Sequence, residues 1–548
     1  PAFNSVADTD RPDVAAFVAD QLVITSTSNL LQTDNNILAI HGVNASPSAD
    51  RFLIDAQLSA TYLPSTLTSY MDTPTPGAVN SAGLAGLATP PVFSIPGGVF
   101  ANSTNIELTN TLPLSEIRYT TDGTLPTDIS VLYTDPITIT ETTEIRARTY
   151  HPDFVPSDIA SESYTLIGAD LLDFQGTGSP FASEIPVVVF ETYGQFIQQH
   201  AFSNIGFSLI EPQPNGLASI TDPRTVDTRA GLRVRGSSSA DFAKKPYALE
   251  LRRDDSDEDL SLPLLGMDPE ADWVLQGPYQ FDRSLNRNRL IYDLSNQIGQ
   301  PASETRYIEV FTNLSGDLTY NDYVGVYVLI EKIERDPGRV DVEKLSSQMT
   351  EEPDISGGYI FKIDRLDPGD GGFYAASQQW AYVEPKEMEI QQVSEQRNYL
   401  RDYIVVFYSA LSQSDFTHPQ TGQHYTELVD LDSLVDHYLL NELMMNVDAL
   451  RLSAYWHKPR EGKLIAGPIW DFDRSAESAT DHRDNYPTTW YDDTEVIPTV
   501  WRSLFRDLEF RQKFIDRWTE LRRGAFSDDN IAATIDRLAA ELGNDNPA

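Results

Sequence analysis

The sequence predicts a multidomain protein in which β-sandwich modules precede a larger α+β domain. Its 548 residues exceed what one hydrophobic core usually organises. Short apolar runs separated by turn residues fill 91–167, and helical and strand-like patterns are mixed from residue 185 onward. We therefore expect modules over 1–63 and 91–167, a linker over 64–90, and an α+β domain over 185–548 that ends in amphipathic helices.

The first module is expected to contribute two short β-strands. Asn36–Ser46 and Phe52–Ala60 are apolar runs on either side of a polar turn. They are similar to the last strands of a jelly roll. The stretch 64–90 is rich in Pro, Gly, Ser, Thr and Ala, a composition typical of linkers.

The second module is predicted to be a small β-sandwich. Its short strands are separated by turns such as Asp122-Gly123 and end in the run Ile145–Tyr150. Asp122 is interpreted as a turn former, because Asp-Gly satisfies a tight turn by itself. The module resembles the C-terminal immunoglobulin-like domain of chitobiases, which implies a spacer or a binder of carbohydrate surfaces. It carries no catalytic carboxylate pair, so a glycosidase is disfavoured.

Two carboxylates, Asp471 and Asp473, follow a predicted strand that ends at Trp470. Side chains at positions i and i+2 of an extended segment point the same way. Two converging carboxylates suit a hard cation such as Mg²⁺ or Mn²⁺, which can in turn hold phosphate oxygens. The alternative is an acidic turn beside a buried tryptophan.

A third carboxylate, Asp448, is predicted to share a cleft with this pair. A helix that starts near Asp432 runs into Asn446-Val447-Asp448, and two strands, Leu452–Lys458 and Lys463–Trp470, form a hairpin that leads to the acidic pair. Protein kinases use such an arrangement. One Asp orients the substrate hydroxyl, and a second Asp beyond a short hairpin holds the metal on the nucleotide phosphates.

Ordered blocks between residues 185 and 525 extend this likeness. They are Arg235-Gly236-Ser237-Ser238-Ser239, Lys244-Lys245-Pro246-Tyr247, Trp273–Tyr279, Arg287-Asn288, Tyr323–Lys332, Gly357–Asp364, Asn446-x-Asp448 and Trp470-Asp471-x-Asp473. Together they resemble the CotH kinases, atypical secreted protein kinases named for a spore coat protein. The resemblance implies transfer of the γ-phosphoryl group of ATP to Ser or Thr hydroxyls of extracellular or coat proteins, with Mg²⁺ or Mn²⁺. Asp448 would be the base or orienter, and Asp471 and Asp473 would be the metal ligands.

The nucleotide phosphates are expected to contact the basic, serine-containing hairpin. Gly236 permits close backbone approach, so Arg235, Ser237 and the neighbouring amides can face a phosphate. Alternation along the following strand sends Lys244 and Lys245 to opposite faces, so only one of them is expected to reach the nucleotide. The sequence does not say which. An ordinary hairpin loop is the alternative for this stretch.

Four further residues are candidates for nucleotide binding. Arg287 is assigned by the resemblance alone, and a helix cap or core salt bridge is its alternative. Glu331 closes an apolar strand and either orients the phosphate-binding lysine, as in ordinary kinases, or forms a surface ion pair. Tyr279 or Trp470 is expected to stack on adenine.

One position departs from the kinase pattern. Ordinary kinases place a metal-binding Asn five residues after the catalytic Asp, whereas Ser453 stands there in this chain. A hydroxyl is a weaker ligand than an amide carbonyl. The alternative function is therefore a non-catalytic pseudokinase that serves as a cell-surface or spore-structure adhesion protein and binds through its β modules.

Composition narrows the classes of partner and site. The formal charge is −42, with 82 acidic and 40 basic residues, so nucleic acid is disfavoured as a partner. Cysteine is absent, which excludes disulfides and zinc–thiolate sites. No run of eighteen apolar residues is present, so no membrane span is expected. The resemblance to secreted kinases, together with the chitobiase-type module, implies a secreted or cell-surface bacterial protein. The acidic run Asp254–Asp259 is predicted to be a solvated hairpin tip.

Overall fold

The computed structural model describes residues 70, 83–366, 370–386, 392–480, 482–485, 488, 490 and 499–543. The module predicted over 1–63 lies outside these residues. The described chain forms a β-rich N-terminal domain followed by a mixed α+β domain, as the sequence predicts. No helix in these ranges is long and apolar enough to cross a membrane.

The N-terminal domain is a β-sandwich of short strands. They are β1 (Gly86–Leu87), β2 (Val92–Phe93), β3 (Gly98–Phe100), β4 (Thr104–Ile106), β5 (Leu108–Thr109), β6 (Glu116–Thr120), β7 (Val131–Leu132), β8 (Ile137–Ile139), β9 (Thr143–Tyr150), β10 (Phe154–Val155) and β11 (Ala160–Leu166). The main sheet has the order β3-β11-β9-β6-β7. Asp122 closes its turn by accepting hydrogen bonds from Thr124. Strand β1 lies inside the stretch predicted as linker and pairs with β10.

A closed seven-stranded barrel forms the first half of the α+β domain. The strands of this half are β12 (Ala182–Ser183), β13 (Val187–Glu191), β14 (Ser203–Ile210), β15 (Ala218–Ser219), β16 (Val226–Val234), β17 (Tyr247–Arg252), β18 (Asp272–Gln276), β19 (Thr305–Asn313) and β20 (Tyr323–Glu331). The barrel order is β13-β14-β16-β17-β18-β20-β19. Alternation along each strand sends one set of side chains, including Leu232, Leu249 and Leu329, into a buried interior.

The second half is a lobe of one sheet and several helices. Its strands are β21 (Tyr359–Ile363), β22 (Gly372–Ala375), β23 (Gln378–Glu384), β24 (Ala454–Lys458) and β25 (Ile465–Ala466) in the order β22-β23-β21-β24-β25. The α-helices among the described residues are α1 (Ala169–Leu172), α2 (Arg287–Gln297), α3 (Ser394–Ser412), α4 (Tyr425–Leu428), α5 (Leu431–Met444), α6 (Thr499–Leu504), α7 (Leu508–Leu521) and α8 (Asp528–Glu541). One apolar core joins this lobe to the barrel wall through Val274, Val326 and Ile330.

The start of helix α5 differs from the prediction by two residues. The N-cap is Asp430, whose carboxylate accepts the Ser433 N–H at 2.7 Å. Asp432 is exposed and forms an ion pair with Lys513 instead. The predicted hairpin strands are also shorter than expected, because regular pairing ends at Ala466.

The sandwich docks on the barrel through a buried ionic cluster. Arg229 on β16 contacts Glu144 on β9, and its Nε donates to Asp257 at 2.5 Å. Arg146 on β9 is fully buried and donates to Asp257 and to the Asp254 carbonyl. The acidic run 254–259 is therefore only partly the solvated tip that the sequence predicts. Asp254, Glu258 and Asp259 are exposed, but Asp257 pairs with Arg229 and with Arg146 of the other domain.

We expect Arg229→Met to destabilise the protein by about 3–5 kcal/mol, because it leaves the carboxylate of Glu144, which is 1% exposed, without its partner. Chemical denaturation followed by intrinsic fluorescence measures the change. Arg253→Met is the control, because Arg253 pairs with Asp255 on the surface of the same loop. Equal stability of the two variants would contradict a structural role for the cluster.

Candidate functional site

The acidic pair lies in the loop that follows β25. Asp471 has φ +66°, so the segment is not extended there and the predicted strand-end geometry is wrong. The charge of Asp471 nevertheless raises the pKa of Asp473, so the two carboxylates lie within Coulombic reach of each other. The chain leaves the strand conformation at Asp471.

Three hydrogen bonds and one buried side chain fix this loop. Asn446 Nδ2 donates to the Asp471 carbonyl at 3.1 Å, and the Asp471 N–H donates to the Tyr292 hydroxyl at 3.3 Å. Between the two acids, Phe472 is fully buried and its N–H donates to Asn288 Oδ1 at 2.8 Å. Burial of the phenyl ring therefore anchors the loop between its two carboxylates.

Asp448 reaches the same region from the end of helix α5. The helix ends at Met445 in the left-handed conformation, and the Asp448 N–H then donates to Asn446 Oδ1 at 3.2 Å. Each oxygen of the Asp448 carboxylate binds one guanidinium group. The distances are 2.7 Å to Arg451 and 2.9 Å to Arg474.

The three carboxylates repel one another in a buried setting. Burial and then the charge of Asp448 raise the pKa of Asp471, while Arg235 acts in the opposite direction. Burial, followed by the charges of Asp471, Asp282 and Asp448, raises the pKa of Asp473 well above its ordinary value. The pocket therefore concentrates negative charge that its own cations offset only in part.

The candidate metal ligands are the pair, not all three acids. Among the residues described, Asp448, Asp471 and Asp473 do not form a group whose carboxylate oxygens all lie within 4.8 Å of one another. Such a group occurs elsewhere on the barrel, at Glu270, Asp272 and Glu334. There Lys332 and Arg339 neutralise the acids directly, so we assign that group no metal.

The hairpin between β16 and β17 reaches the pocket through Arg235. Its guanidinium lies 5.6 Å from the centre of the Trp470 ring and within Coulombic reach of Asp471. Gly236 has φ +86°, and a Cβ there would collide with Ser239, so the turn requires glycine. Ser237 is exposed at the tip.

The two lysines of the hairpin point to different places. Lys244 Nζ donates to the Val326 carbonyl beside a cavity of about 460 Å³, which Arg283 also lines. Burial lowers the pKa of Lys244 to about 8, although Glu309 favours its charge. Lys245 Nζ donates to the Ala240 carbonyl at 2.7 Å.

Arg287 holds the loop that follows the acidic pair. Its Nε donates to the Ser475 carbonyl at 2.9 Å, and its Nη2 donates to the Ala476 carbonyl at 3.2 Å. Its Nη1 pairs with the buried Asp282 at 3.2 Å. These contacts match the core salt bridge that the sequence left open for this residue.

Glu331 and Tyr279 make their contacts with described residues other than the acidic pair. Glu331 is 3% exposed and accepts the Glu304 N–H at 2.8 Å, so it is neither a surface ion pair nor a partner of the hairpin lysines. The adjacent Lys332 binds Asp272. Tyr279 is half exposed beside Phe242, whereas Trp470 stacks on Tyr292 within the pocket wall.

Sequence reasoning assigned no role to Lys362, Arg451 or Arg474. Lys362 Nζ binds Asp364 at 2.7 Å, and both charges act on the pocket. Burial opposes the charge of Lys362, but Tyr455 and Asp364 together raise its pKa above the ordinary value. Two features of the sequence could have pointed to these residues. Lys362 is a lysine within the apolar strand β21, and an arginine stands three residues after each of Asp448 and Asp471.

Comparison with known proteins places these residues in a family. Residues 95–161 match the chitobiase/beta-hexosaminidase C-terminal domain. No curated protein matches the chain. Residues 232–547 match the CotH kinase protein family model, which covers more than half of the chain and includes Arg235, Asp448 and the acidic pair. The protein therefore belongs to the CotH kinase family, and its kinase-related domain follows a chitobiase-type module.

Proposed function

We propose that this protein transfers the γ-phosphoryl group of ATP to Ser or Thr hydroxyls of a protein substrate in a metal-dependent reaction. The observation that carries the proposal is that Asp448, Asp471 and Arg235 meet in one region between the barrel and the lobe: Arg474, three residues after Asp471, binds Asp448, and Arg235 lies over Trp470, next to Asp471. Membership of the CotH kinase family supports the reaction class. We place the activity outside the cell or at a bacterial cell surface, in keeping with the appended chitobiase-type module.

The acidic pair fits a divalent cation. Asp471 accepts a hydrogen bond from Ser453 at 3.3 Å, and no hydrogen bond from a described residue reaches the carboxylate of Asp473. Hard cations prefer such oxygen ligands, and they relieve the mutual repulsion of the two acids. Mg²⁺ or Mn²⁺ held here would neutralise charge on the phosphates.

The hairpin between β16 and β17 offers cations for the nucleotide phosphates. We assign Arg235 to the phosphates, with Ser237 and the hairpin amides beside it, and Lys244 or Lys245 as the further contact. Trp470 is our candidate for stacking with adenine. Arg287 positions the loop after Asp473, since its donors are used within the protein.

In the proposed step, the acceptor hydroxyl oxygen bonds to the γ-phosphorus while the bond from that phosphorus to the β–γ bridging oxygen breaks. ADP leaves with the electron pair, and the hydroxyl proton passes by way of Asp448 to solvent. Asp448 accepts one bond from an arginine at each oxygen, and each oxygen keeps a further lone pair for the incoming hydroxyl. Its main role is to orient that hydroxyl.

A non-catalytic adhesion protein is the second candidate. Ser453 supports it, because the hydroxyl binds Asp471 at 3.3 Å where ordinary kinases supply an amide ligand. In this case the fold would retain nucleotide or surface binding without phosphoryl transfer.

The first test is a transfer assay on the purified chain with Mn²⁺, γ-labelled ATP and a panel of Ser- and Thr-containing proteins. We expect labelled products from the wild type, and a loss of at least about a hundredfold in Asp471→Asn, because the principal metal ligand is weakened. Asp432→Asn makes the same chemical change on the exposed face of helix α5 and should leave transfer unchanged. Absence of label in every wild-type reaction would favour the adhesion protein.

The second test concerns metal binding and pH. The folded-state pKa of Asp473 is raised above 3.8, so its contribution to stability is present below pH 3.8 and is lost as pH rises through the folded pKa. Metal-free Asp473→Asn should therefore be more stable than the wild type at neutral pH. Mn²⁺ at a hundred times its Kd should stabilise the wild type by about 2.7 kcal/mol and the variant by less.

Thermal unfolding with EDTA or with Mn²⁺, between pH 4 and 7.5, measures both effects. Asp432→Asn again serves as the control, since its carboxylate lies on the surface. An undiminished Mn²⁺ response in Asp473→Asn would remove this residue from the ligand set.

A third test introduces the amide that ordinary kinases have and that this chain lacks at position 453. Ser453 has φ +50°, a conformation that Asn adopts more readily than Ser, so Ser453→Asn should fold without added strain. Its amide oxygen would lie beside Asp471. We expect the Kd for Mn²⁺, measured by calorimetry, to fall by about tenfold. Weaker binding than in the wild type would show that the hydroxyl is the better partner for Asp471.

A further inference from the structure

A buried carboxyl group lies in the contact between the sandwich and the barrel, apart from the ionic cluster of Arg229. Glu191, at the end of β13, is 1% exposed. Its Oε1 accepts a hydrogen bond from the hydroxyl of Thr165, on β11 of the sandwich, at 3.0 Å. Its Oε2 is buried and has no hydrogen-bond partner among the described residues. The environment of this carboxyl group therefore depends on a contact between the two domains.

No ion pair neutralises Glu191 within the described part of the chain. The cation that acts on it is Arg224, in the loop before β16. Arg224 Nη1 binds Asp227 at 2.8 Å, and its Nη2 donates to the Thr165 hydroxyl oxygen at 2.5 Å. The donors of Arg224 are thus directed at other partners. A buried carboxylate without an ion pair is costly, and such a group takes up a proton instead.

A second buried oxygen without a donor lies on the neighbouring strand. Asn313 is the register partner of Glu191 on the parallel strand β19, so the two side chains leave the sheet next to each other. Asn313 Nδ2 donates to the Gly316 carbonyl at 3.2 Å, and its Oδ1 is buried without a hydrogen-bond partner. Two neighbouring residues therefore each hold an acceptor that lacks a donor. A protonated carboxyl group supplies one.

The surroundings of Glu191 favour its neutral form. Burial raises the pKa of Glu191 to about 7, although the charge of Arg224 and the hydrogen bonds at the carboxylate act in the opposite direction. Asp322, in the turn before β20, raises it further. Tyr193, in the loop after β13, also faces Glu191. Burial holds the pKa of Tyr193 well above its ordinary value, so this hydroxyl stays neutral.

We propose that Glu191 carries a proton while the sandwich is docked on the barrel and releases it to solvent when the sandwich leaves, so that docking weakens as pH rises through neutrality. Strand β11 supplies the cover: Thr165 binds Glu191, and Ser163 binds the Tyr193 hydroxyl at 2.8 Å. Departure of this strand admits water, which stabilises the ionised form. The inference does not depend on phosphoryl transfer.

The sign follows from the two states of the carboxyl group. Its pKa in the docked protein is above the ordinary 4.5, so the stabilisation is fully present below pH 4.5 and is lost as pH rises through about 7. Asp254, in the same interface, adds an effect of the same sign, because burial raises its pKa to about 6 against the effect of the Arg229 N–H. That contribution is nearly complete at pH 6, so the range from pH 6 to pH 8 reports mainly on Glu191.

The test measures docking in the full chain as a function of pH. Because the chain has no cysteine, Thr138→Cys on the sandwich and Asn215→Cys in the loop between β14 and β15, both exposed, can carry a donor and an acceptor dye. All seven tryptophans lie in the α+β domain, so their fluorescence shows separately whether that domain stays folded. Urea titration of the energy transfer gives the docking constant at each pH by linear extrapolation.

From pH 6 to pH 8 we expect the docking constant to fall by about tenfold through Glu191 and by about a further twofold through Asp254. Glu191→Gln keeps an acceptor for Thr165 and adds an N–H that can serve Asn313 Oδ1, so only the twofold change should remain. Glu395→Gln is the matched control, since Glu395 is exposed in the first turn of helix α3, and it should retain the full pH dependence.

Infrared spectroscopy tests the proton directly. At pH 6 the spectrum of the wild type minus that of Glu191→Gln should contain the C=O stretch of a carboxylic acid, and in the wild type alone this band should weaken by pH 8. Absence of the band would overturn the proposal. So would equal pH dependence of docking in the wild type and Glu191→Gln, or loss of energy transfer only together with the change in tryptophan fluorescence.

Discussion

The candidate site depends on holding carboxylates together in a place where they repel one another. Asp471 and Asp473 are both disfavoured as ions by burial and by neighbouring acids. The fold imposes this arrangement through Phe472, whose buried ring fixes the loop between them. Hydrogen bonds from Asn446 and to Asn288 then leave the loop little freedom to carry its acids apart. The contacts that stabilise the loop are thus apolar packing and neutral hydrogen bonds. They do not neutralise the charges of Asp471 and Asp473, which a cation would offset.

The barrel is held by the lobe through apolar contacts and by the sandwich through ion pairs. The wall that includes Val326 and Ile330 shares an apolar core with the lobe that carries the acidic loop. The wall that includes Arg229 meets the sandwich through ion pairs and hydrogen bonds that are almost fully buried. Apolar contact tolerates small shifts, whereas a buried ion pair fails when one partner moves away. The ion pairs therefore hold the sandwich in a defined position on the barrel. The candidate site depends instead on the apolar core that the barrel shares with the lobe.

Sequence patterns located the acidic residues of the site but not their partners. Asp448 and Asp471 could be found because each follows a recognisable helix or strand pattern. The helix start predicted near Asp432 was two residues late, because Asp430 offers the same carboxylate and only the position of the Ser433 N–H distinguishes them. Likewise, the acidic run 254–259 resembles a surface loop until the sandwich supplies Arg146. Partners distant in sequence are set by tertiary packing, and local patterns carry little information about them.

The arginine pair on Asp448 fixes its carboxylate from two sides. Arg451 and Arg474 each use an N–H to bind one oxygen, which sets the direction of the remaining lone pairs. A single lysine could pair with Asp448, but a point charge on a flexible stem would not hold both oxygens in one orientation. Because Arg474 lies in the loop that carries Asp471 and Asp473, its ion pair with Asp448 also ties that loop to the end of helix α5.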